Sequence, residues 1–387
     1  MTMSFVETEE QQALREAVAA MAANYGQDYF LEKARSGQHT DELWAEAGKL
    51  GFLGVNMPEE YGGGGAGMYE LSLVMEEMAA AGSPLLMMVV SSAINGTIIS
   101  KYGTDEQKQR WVPGLADGSI TMAFAITEPD AGSNSHRITT TARRDGSDWI
   151  ISGQKVFISG IDQADAVLVV GRTEDHKTGN LKPALFVVPT DAKGLTWTKI
   201  EMEIISPESQ FQVFLDEVRV PGDALVGSED AAIAQLFAGL NPERIIGAAM
   251  AVGTGRLAIS RAAEYVKTRQ VWKVPIGSHQ GLSHPLAQVH IEVELAKLMM
   301  QKAATLYDAG DDGGAAEAAN MAKYAAGEAS VRAVDQAVQC LGGNGLTKEY
   351  GIAAAVTASR LARIAPVSRE MVLNFVAQTS LGLPRSY

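Results

Sequence analysis

Between about residues 121 and 226 the chain changes character, and this change limits its architecture more than any other feature. Short runs rich in β-branched and aromatic residues (DWIISGQKVFISG, ADAVLVVGR, PALFVVP, LTWTKIEMEI and FQVFLDEVRVP) follow one another there, separated by Gly, Pro, Asp and Asn. That rhythm predicts an antiparallel sheet or small barrel. On both sides apolar residues recur at helical spacing instead. Thr8 to Gln11 fit a capping box, and Leu14, Val18, Met21 and Tyr25 follow at helical intervals, which predicts a first amphipathic helix. Tyr69 to Ala81, rich in Leu, Met, Glu and Ala, predicts another. After about residue 229 the helical pattern returns and lasts almost to the end. In VHIEVELAKLMMQKAATLY the alternation of Val289, Ile291, Val293 and Leu295 competes with the helical set Ile291, Leu295, Leu298 and Leu306, and length decides for helix. The expected units are a helical one over 1–120, a β one over 121–228 and a helical bundle over 229–387.

The balance of residues narrows the partners. A chain of 387 residues with 46% hydrophobic and 20% charged side chains can bury a large core and is not disordered. Its formal charge of -14, with no concentrated basic stretch, opposes a nucleic-acid backbone or an anionic membrane surface. Leu85 to Val90 is too short an apolar patch to span a bilayer, and the longer run at 245–259 is interrupted by Arg256, so no membrane insertion is expected. The opening MTMSFVETEEQQ turns acidic at once, without the basic-then-apolar order of a signal peptide. A single cysteine, Cys340, leaves no disulfide framework and fits a reducing compartment, so the expected location is cytoplasmic.

Two glycine patterns imitate a dinucleotide-binding fingerprint. GGGGAG at 62–67 follows the turn-like MPEEY rather than a strand, and GTGRLA at 253–258 lies inside a helical run, so both read as turn and helix-packing glycines. His279, His284 and His290 share no short ligand spacing and have no cysteine or acidic companions, so no metal site is expected. AFAITEPDAGSN, 123–134, leaves an apolar stretch for a turn offering hydroxyl and backbone donors; on its own it could equally be an ordinary hairpin turn. LNPERIIGAA, 240–249, sets Glu243 and Arg244 at the mouth of an apolar run. Asn241 suits an N-cap and Pro242 a first turn, which would put Glu243 where the helix dipole and Arg244 favour its charge while burial opposes it. Such a residue is either a solvated first-turn acid or a tuned base.

Read together, AITEPDAGSN, GQKVFISG (153–160), YVKTRQVW (265–272) and AVQCLGGNG (337–345) occur in the order and at about the separations of the acyl-CoA dehydrogenase family, which the chain resembles over nearly its full length. LGFLGVNMPEEYGGGG and YGTDEQKQRWVPGLADGSI resemble the family's N-terminal domain. The resemblance implies a mainly α fold with a middle β-domain: an N-terminal helical domain, a β-barrel-like domain and a C-terminal four-helix bundle. It implies FAD held between the last two and across a subunit interface. Phe124, Ile126 and Thr127, with Gly132 in the same loop, would lie against the flavin, Thr127 near N5 and O4. Ser133 would touch both flavin and acyl-CoA. Phe157 stands where the family often has Trp, keeping an aromatic face but losing an N–H donor, and Ile158 and Ser159 continue that contact. Arg269 matches the arginine that meets the FAD diphosphate of a neighbouring subunit, Gln280 its adenosine-side partner, and Gln339, Gly342 and Gly343 the segment whose backbone approaches the diphosphate. A homotetramer built as a dimer of dimers is therefore implied. One departure is local: the family's R-x-x-F-G reads Arg269-Gln-Val-Trp272-Lys273 here.

The family reaction takes a proton from the carbon next to the thioester and passes a hydride from the following carbon to the flavin, forming a trans-2-enoyl-CoA whose electrons go to an electron-transfer flavoprotein. Many members place the required carboxylate in a C-terminal Y-E-G-T segment. This chain has RIAPVSREM there, with Pro366 in the glutamate's place and Ser368 beside the cofactor. A minority, including isovaleryl- and long-chain-type enzymes and the crotonobetainyl-CoA reductase type, carry a glutamate in a motif like L-D-x-E-R, which LNPERIIGAA resembles. The resemblance thus implies Glu243 as base with Arg244 beside the substrate. Pro366 also lacks the backbone N–H that helps hold the thioester carbonyl in the family. Two other readings stay open: the reverse reaction on an enoyl-CoA, and a non-catalytic FAD- or acyl-CoA-binding subunit of a mixed oligomer.

Overall fold

The computed structural model describes residues 6–174, 181–228 and 232–385. Six helices precede the sheet: α1 (Glu9–Ala23), α2 (Gly26–Ser36), α3 (Asp41–Lys49), α4 (Met68–Ala81), α5 (Thr97–Tyr102) and α6 (Asp105–Asp117). The capping box holds at α1, where the Thr8 hydroxyl accepts from the Gln11 amide at 3.2 Å and the Gln11 side chain accepts from the Thr8 amide at 3.0 Å. Val18, Met21 and Ala22 form its buried stripe. By contrast α4 is buried on nearly all sides, because it lies between α1 and the long helices that follow.

Both imitation fingerprints resolve into packing. The amides of Met68 and Tyr69 donate to the Asp308 carboxylate at 2.7 and 2.9 Å, an anion capping the start of α4. A Cβ on Gly67 would come within 2.4 Å of that carboxylate, so the last glycine of GGGGAG permits the approach. Gly253 does the same for helix packing: a Cβ there would meet the Glu76 carbonyl at 2.4 Å.

Seven strands form one sheet: β1 (Met122–Ala125), β2 (Thr141–Asp145), β3 (Asp148–Ser159), β4 (Ala166–Glu174), β5 (Leu181–Pro189), β6 (Leu195–Ile200) and β7 (Gln210–Val220). Their order is β1-β4-β2-β3-β7-β6, with β5 also on β4. The expected antiparallel pattern is corrected to a mixed one. β1 pairs parallel to β4, and β2 meets β4 parallel at Thr141 and Arg172. β1 is the first strand, and β2 and β3 lie between it and β4 in the chain, so no hairpin joins the pair and forces antiparallel pairing. Buried Trp149, Ile151, Val169, Phe186 and Val213 fill one side of the sheet, while its other side packs on the N-terminal helices.

Three long helices follow, α7 (Ala232–Thr268), α8 (Gln280–Asp308) and α9 (Asp312–Leu341), with the short α10 (Ala354–Ile364) and α11 (Arg369–Thr379) together taking the fourth place in the bundle against α9. Ala315, Ala319, Ala322, Ala326, Ala329, Ala333 and Ala337 are all buried on α9, a small-residue stripe that lets the helices approach closely. Arg256, which interrupts an apolar run of α7, is a partner of that packing: it donates to Glu76 at 2.6 Å and Glu77 at 2.7 Å, and Arg15 of α1 and Lys297 of α8 face the same buried acids. Among the described residues no helix is long and apolar enough to cross a membrane.

The start of α7 also corrects an expectation. The helix does not begin at Asn241 and Pro242 but two turns or more earlier, with Pro242 inside it. Buried Ala238 and the partly buried Leu236 and Leu240 give these earlier turns a packed face. Proline removes the amide that would bond the carbonyl four residues back, and the Tyr307 hydroxyl donates to that Ala238 carbonyl at 3.0 Å instead. We expect Tyr307→Phe to cost about 1–3 kcal/mol by leaving a buried carbonyl unpaired. In a Pro242→Ala background, where residue 242 regains its amide, denaturant titration should show a smaller loss. Equal losses in both backgrounds would mean that Tyr307 acts by packing alone.

Candidate active site

The site is assembled from the exit of β1, a bulge in β3 and the middle of α7. After β1 the chain is tied to β3 twice: the Lys155 ammonium donates to the Ile126 carbonyl at 3.0 Å, and the Val156 amide to the Thr127 carbonyl at 2.9 Å. Lys155 is wholly buried and also meets the Glu128 carboxylate at 2.9 Å and the Val170 carbonyl at 2.6 Å. Burial alone would push the Glu128 carboxyl up. The Thr140 hydroxyl, the Thr139 amide and Lys155 outweigh it and hold the group down at about 2. Burial pulls Lys155 down to about 8. The two buried charges are further ligated by hydroxyl, amide and carbonyl groups, which ties the loop to β3 and β4. Thr127 is therefore held half-buried at a fixed place, with Gly132 and Ser133 exposed further along the loop.

The same bulge aims an aromatic ring outward. Between Lys155 and Ile158 the β3–β7 register shifts, and Phe157 takes φ 57°, a left-handed conformation unusual for a bulky residue. Its ring is 56% exposed, between a buried Lys155 and a buried Ile158. Ser159 is half-buried and bonded to Gln210 at 3.1 Å. Phe124 differs: its side chain is buried in the core beneath the loop.

A π-helical segment, Met88–Gly96, links this loop to α7. Asn95 donates to the Met122 and Ala123 carbonyls of β1, at 2.9 and 3.1 Å, and α7 packs on the same segment. There, one helical turn apart on one face of α7, stand Glu243 and Gly247. A Cβ on Gly247 would touch Pro366 alone among the described residues, at 3.9 Å, so the Pro366 turn lies against this face of α7. Glu243 keeps some accessible surface, and no described residue hydrogen-bonds its carboxyl. Burial pushes that carboxyl up to about 7 despite the opposing charges of Arg244 and Lys323. The first-turn dipole expected to favour its charge is absent, because Glu243 lies in the helix interior. Arg244 lies back along α7, its Nη1 donating to the Leu240 carbonyl at 2.9 Å, while its buried Nε finds no acceptor among the described residues.

Lys323 on α9 carried no sequence signal of its own, standing in an alanine-rich helix. It is buried, burial and Arg244 lower it to about 8, and its ammonium donates to the Val367 carbonyl. Ser368 caps α11, its hydroxyl accepting from the Met371 amide at 3.3 Å.

The remaining sequence-predicted residues gather elsewhere. Arg269 follows the end of α7, Gln280 begins α8, and Gln339, Gly342 and Gly343 end α9. Asn344 ties the last group to Tyr265 at 3.1 Å, joining the ends of α7 and α9. The unusual RQVWK stretch is a two-residue hairpin between β8 (Gln270–Val271) and β9 (Val274–Pro275), with Trp272 and Lys273 both at positive φ, 52° and 70°. From Glu243 to the end of α7 the axis runs roughly 38 Å at about 1.5 Å per residue, farther than an extended dinucleotide reaches. Among the described residues no group of His, Cys, Asp and Glu could hold a metal ion.

Models of the acyl-CoA dehydrogenase N-terminal, middle and C-terminal domains match residues 8–119, 123–212 and 233–381. The chain is 81% identical to acyl-CoA dehydrogenase FadE12 of Mycobacterium tuberculosis over 99% of both chains. It is 32% identical to a 3-(aryl)acrylate reductase of Clostridium sporogenes, covering 89% of this chain and 91% of that one. A solved glutaryl-coenzyme A dehydrogenase in its glutaryl-CoA complex superposes with a TM-score of 0.93 at 29% identity, covering 99% and 98% of the two chains. The chain belongs to the acyl-CoA dehydrogenase family, whose members are FAD-dependent oxidoreductases, and has that family's fold. Its residues suit such a cofactor: Phe157 offers an exposed aromatic face, and Cβ atoms added at Gly132, Gly342 or Gly343 would meet nothing within 4 Å, leaving backbone open to a ligand.

The raised Glu243 carboxyl has a sign that stability can read. The native state holds this proton more tightly than the unfolded chain, so the stability it contributes at low pH is lost as pH rises from about 4.5 through about 7. Glu243→Gln, which cannot ionise, should gain in melting temperature relative to the parent between pH 5 and pH 8. A pH-independent difference would show that the carboxyl is not held in a desolvated place.

Proposed function

We propose that the chain is an FAD-dependent acyl-CoA dehydrogenase in which Glu243 removes the proton next to the thioester, giving a trans-2-enoyl-CoA, with electrons passed to an electron-transfer flavoprotein. One observation supports this most: a carboxyl with no hydrogen bond to a described residue, raised by burial to about 7, sits one turn from a glycine whose added Cβ would touch only Pro366. A base must be ionised at working pH yet still hold a proton well, and a group near neutrality satisfies both demands. Bound FAD would supply the acceptor for the hydride leaving the next carbon. Ile126, Thr127, Gly132, Ser133, Phe157, Ile158 and Ser159 would hold the ring side, with Phe124 supporting them from the core. Ser133 and Arg244 would also meet the acyl-CoA, and Ser368 would flank the cofactor from the cap of α11.

Arg269, Gln280, Gln339, Gly342 and Gly343 would take the diphosphate and adenosine side. Their distance along α7 from the same chain's Glu243 supports their serving the cofactor of another copy, hence a homotetramer as a dimer of dimers. Ile291, Leu295 and Leu298, all exposed along one face of α8, suit such an interface. The element order supports a division into 1–120, 121–228 and 229–387. The single cysteine supports a cytoplasmic place.

The relative named as an acrylate reductase favours keeping the reverse reaction as a second reading. Mixed anaerobically with a panel of acyl-CoA thioesters, the yellow protein should bleach. Oxidised FAD that persists with every thioester would favour a non-catalytic subunit, and reduced protein reoxidised only by enoyl-CoA would favour the reductase. Glu243→Gln should keep FAD but reduce it about a hundredfold or more slowly. In the parent the rate should rise with pH through about 7, as the carboxylate forms.

A further inference from the structure

Beyond α7 the chain forms a short arm. Gln270–Val271 and Val274–Pro275 pair in register, and the Ile276 amide donates to the Arg269 carbonyl at 2.8 Å. Ile276 is buried with Val266, Cys340 and Leu341, directly before Gly342, so the root of the arm is packed at the common end of α7 and α9. The tip is different: Trp272 is 84% exposed, and Val271 and Val274 on either side of the turn are exposed too. A two-residue turn with positive φ at both central positions favours Asn and Gly. Here Trp272 and Lys273 hold those positions at 52° and 70°, and neither offsets the strain by burial in its own chain. The charge is equally local. The whole chain carries a formal -14, yet between Glu264 and Glu292 there is no acid, while Lys267, Arg269 and Lys273 all fall in that stretch. Among the described residues none of these three cations forms a salt bridge.

Resting on the reading of the chain as an FAD-dependent oligomer, we propose that this arm is a nucleotide clamp for a second copy: Lys273 adds a second cation to Arg269 at the diphosphate of that copy's FAD, and Trp272 covers its adenine. An unpaired cation beside an exposed ring is the combination that recognises a nucleotide, the charge meeting phosphate and the ring stacking on the base. The length of α7 keeps the arm from the Glu243 of its own chain, so the nucleotide it reaches belongs to another. The R-x-x-F-G pattern has a glycine at the position of Lys273, which would give the turn its preferred backbone and no charge. In this chain the strain and the charge arrive together at one residue, and the clamp accounts for both.

The test follows the release of FAD from the full-length purified protein, read as the rise in fluorescence of the freed flavin, with no turnover involved. Lys273→Gly should release FAD about tenfold faster in low salt, and the difference should shrink as salt is raised. Lys273→Arg should hold it as the parent does. Trp272→Ala should release FAD about tenfold faster at every salt concentration, because stacking is not screened. Glycine suits the turn, so Lys273→Gly should be at least as resistant to denaturant as the parent, which separates a lost contact from a damaged fold. Sedimentation of each variant reads the oligomer independently. Release at the parental rate from both Lys273→Gly and Trp272→Ala would overturn the clamp and leave the FAD reading standing, whereas a purified protein that carries no FAD would overturn both. Variants that sediment as smaller species while releasing FAD no faster would show that the arm grips a neighbouring polypeptide and not its nucleotide, which also overturns the proposal.

Discussion

A carboxyl largely withdrawn from water, with no hydrogen bond to any described residue, is the condition on which the rest of this structure depends. Most buried acids are matched by donors, as Glu128 is by Thr139, Thr140 and Lys155, and their ionisation is then held fixed. Glu243 has charges nearby but no hydrogen bond to a described residue, so desolvation prevails and the group stays near neutrality. The two acids show what a sequence cannot: both are glutamates beside apolar runs, and only the count of donors separates a carboxyl held down at about 2 from one raised to about 7.

Delivering Glu243 to that place requires α7 to continue through a proline. The helix keeps its line because a tyrosine from α8 takes over the orphaned carbonyl, and because Leu236, Ala238 and Leu240 have apolar neighbours to pack against. A helix that began at Asn241 would have left Glu243 in a solvated first turn under a favourable dipole, a setting that lowers a carboxyl. The observed continuation reverses that influence and leaves burial as the dominant one.

Much of the fold was legible because its signals are local. The capping box at Thr8, the five β-rich runs and the helical spacing after residue 229 each depend on residues close in sequence. The parallel pairing of β1 with β4 was not legible, since it joins segments about 40 residues apart and a four-residue strand has too little pattern to announce itself. At the site, motif spacing pointed to Thr127, Phe157 and Glu243, but not to the left-handed backbone at Phe157, nor to Lys323, whose segment NMAKYAAGEAS carries no motif. Its burial comes from the packing of α9 between α8 and α7, a tertiary fact. The start of α7 was misplaced for a related reason: Asn-Pro-Glu is a sound helix opening by local rules, and tertiary packing overrode it.

The central claim is spatial, so a structure with a bound, non-reacting acyl-CoA analogue tests it most directly. The account predicts a Glu243 carboxylate oxygen about 3–3.5 Å from the carbon next to the thioester, with the acyl tail passing over Gly247 toward the Pro366 turn. An analogue whose thioester lies well beyond reach of Glu243, or a recess over Gly247 closed by side chains with the ligand elsewhere, would contradict it.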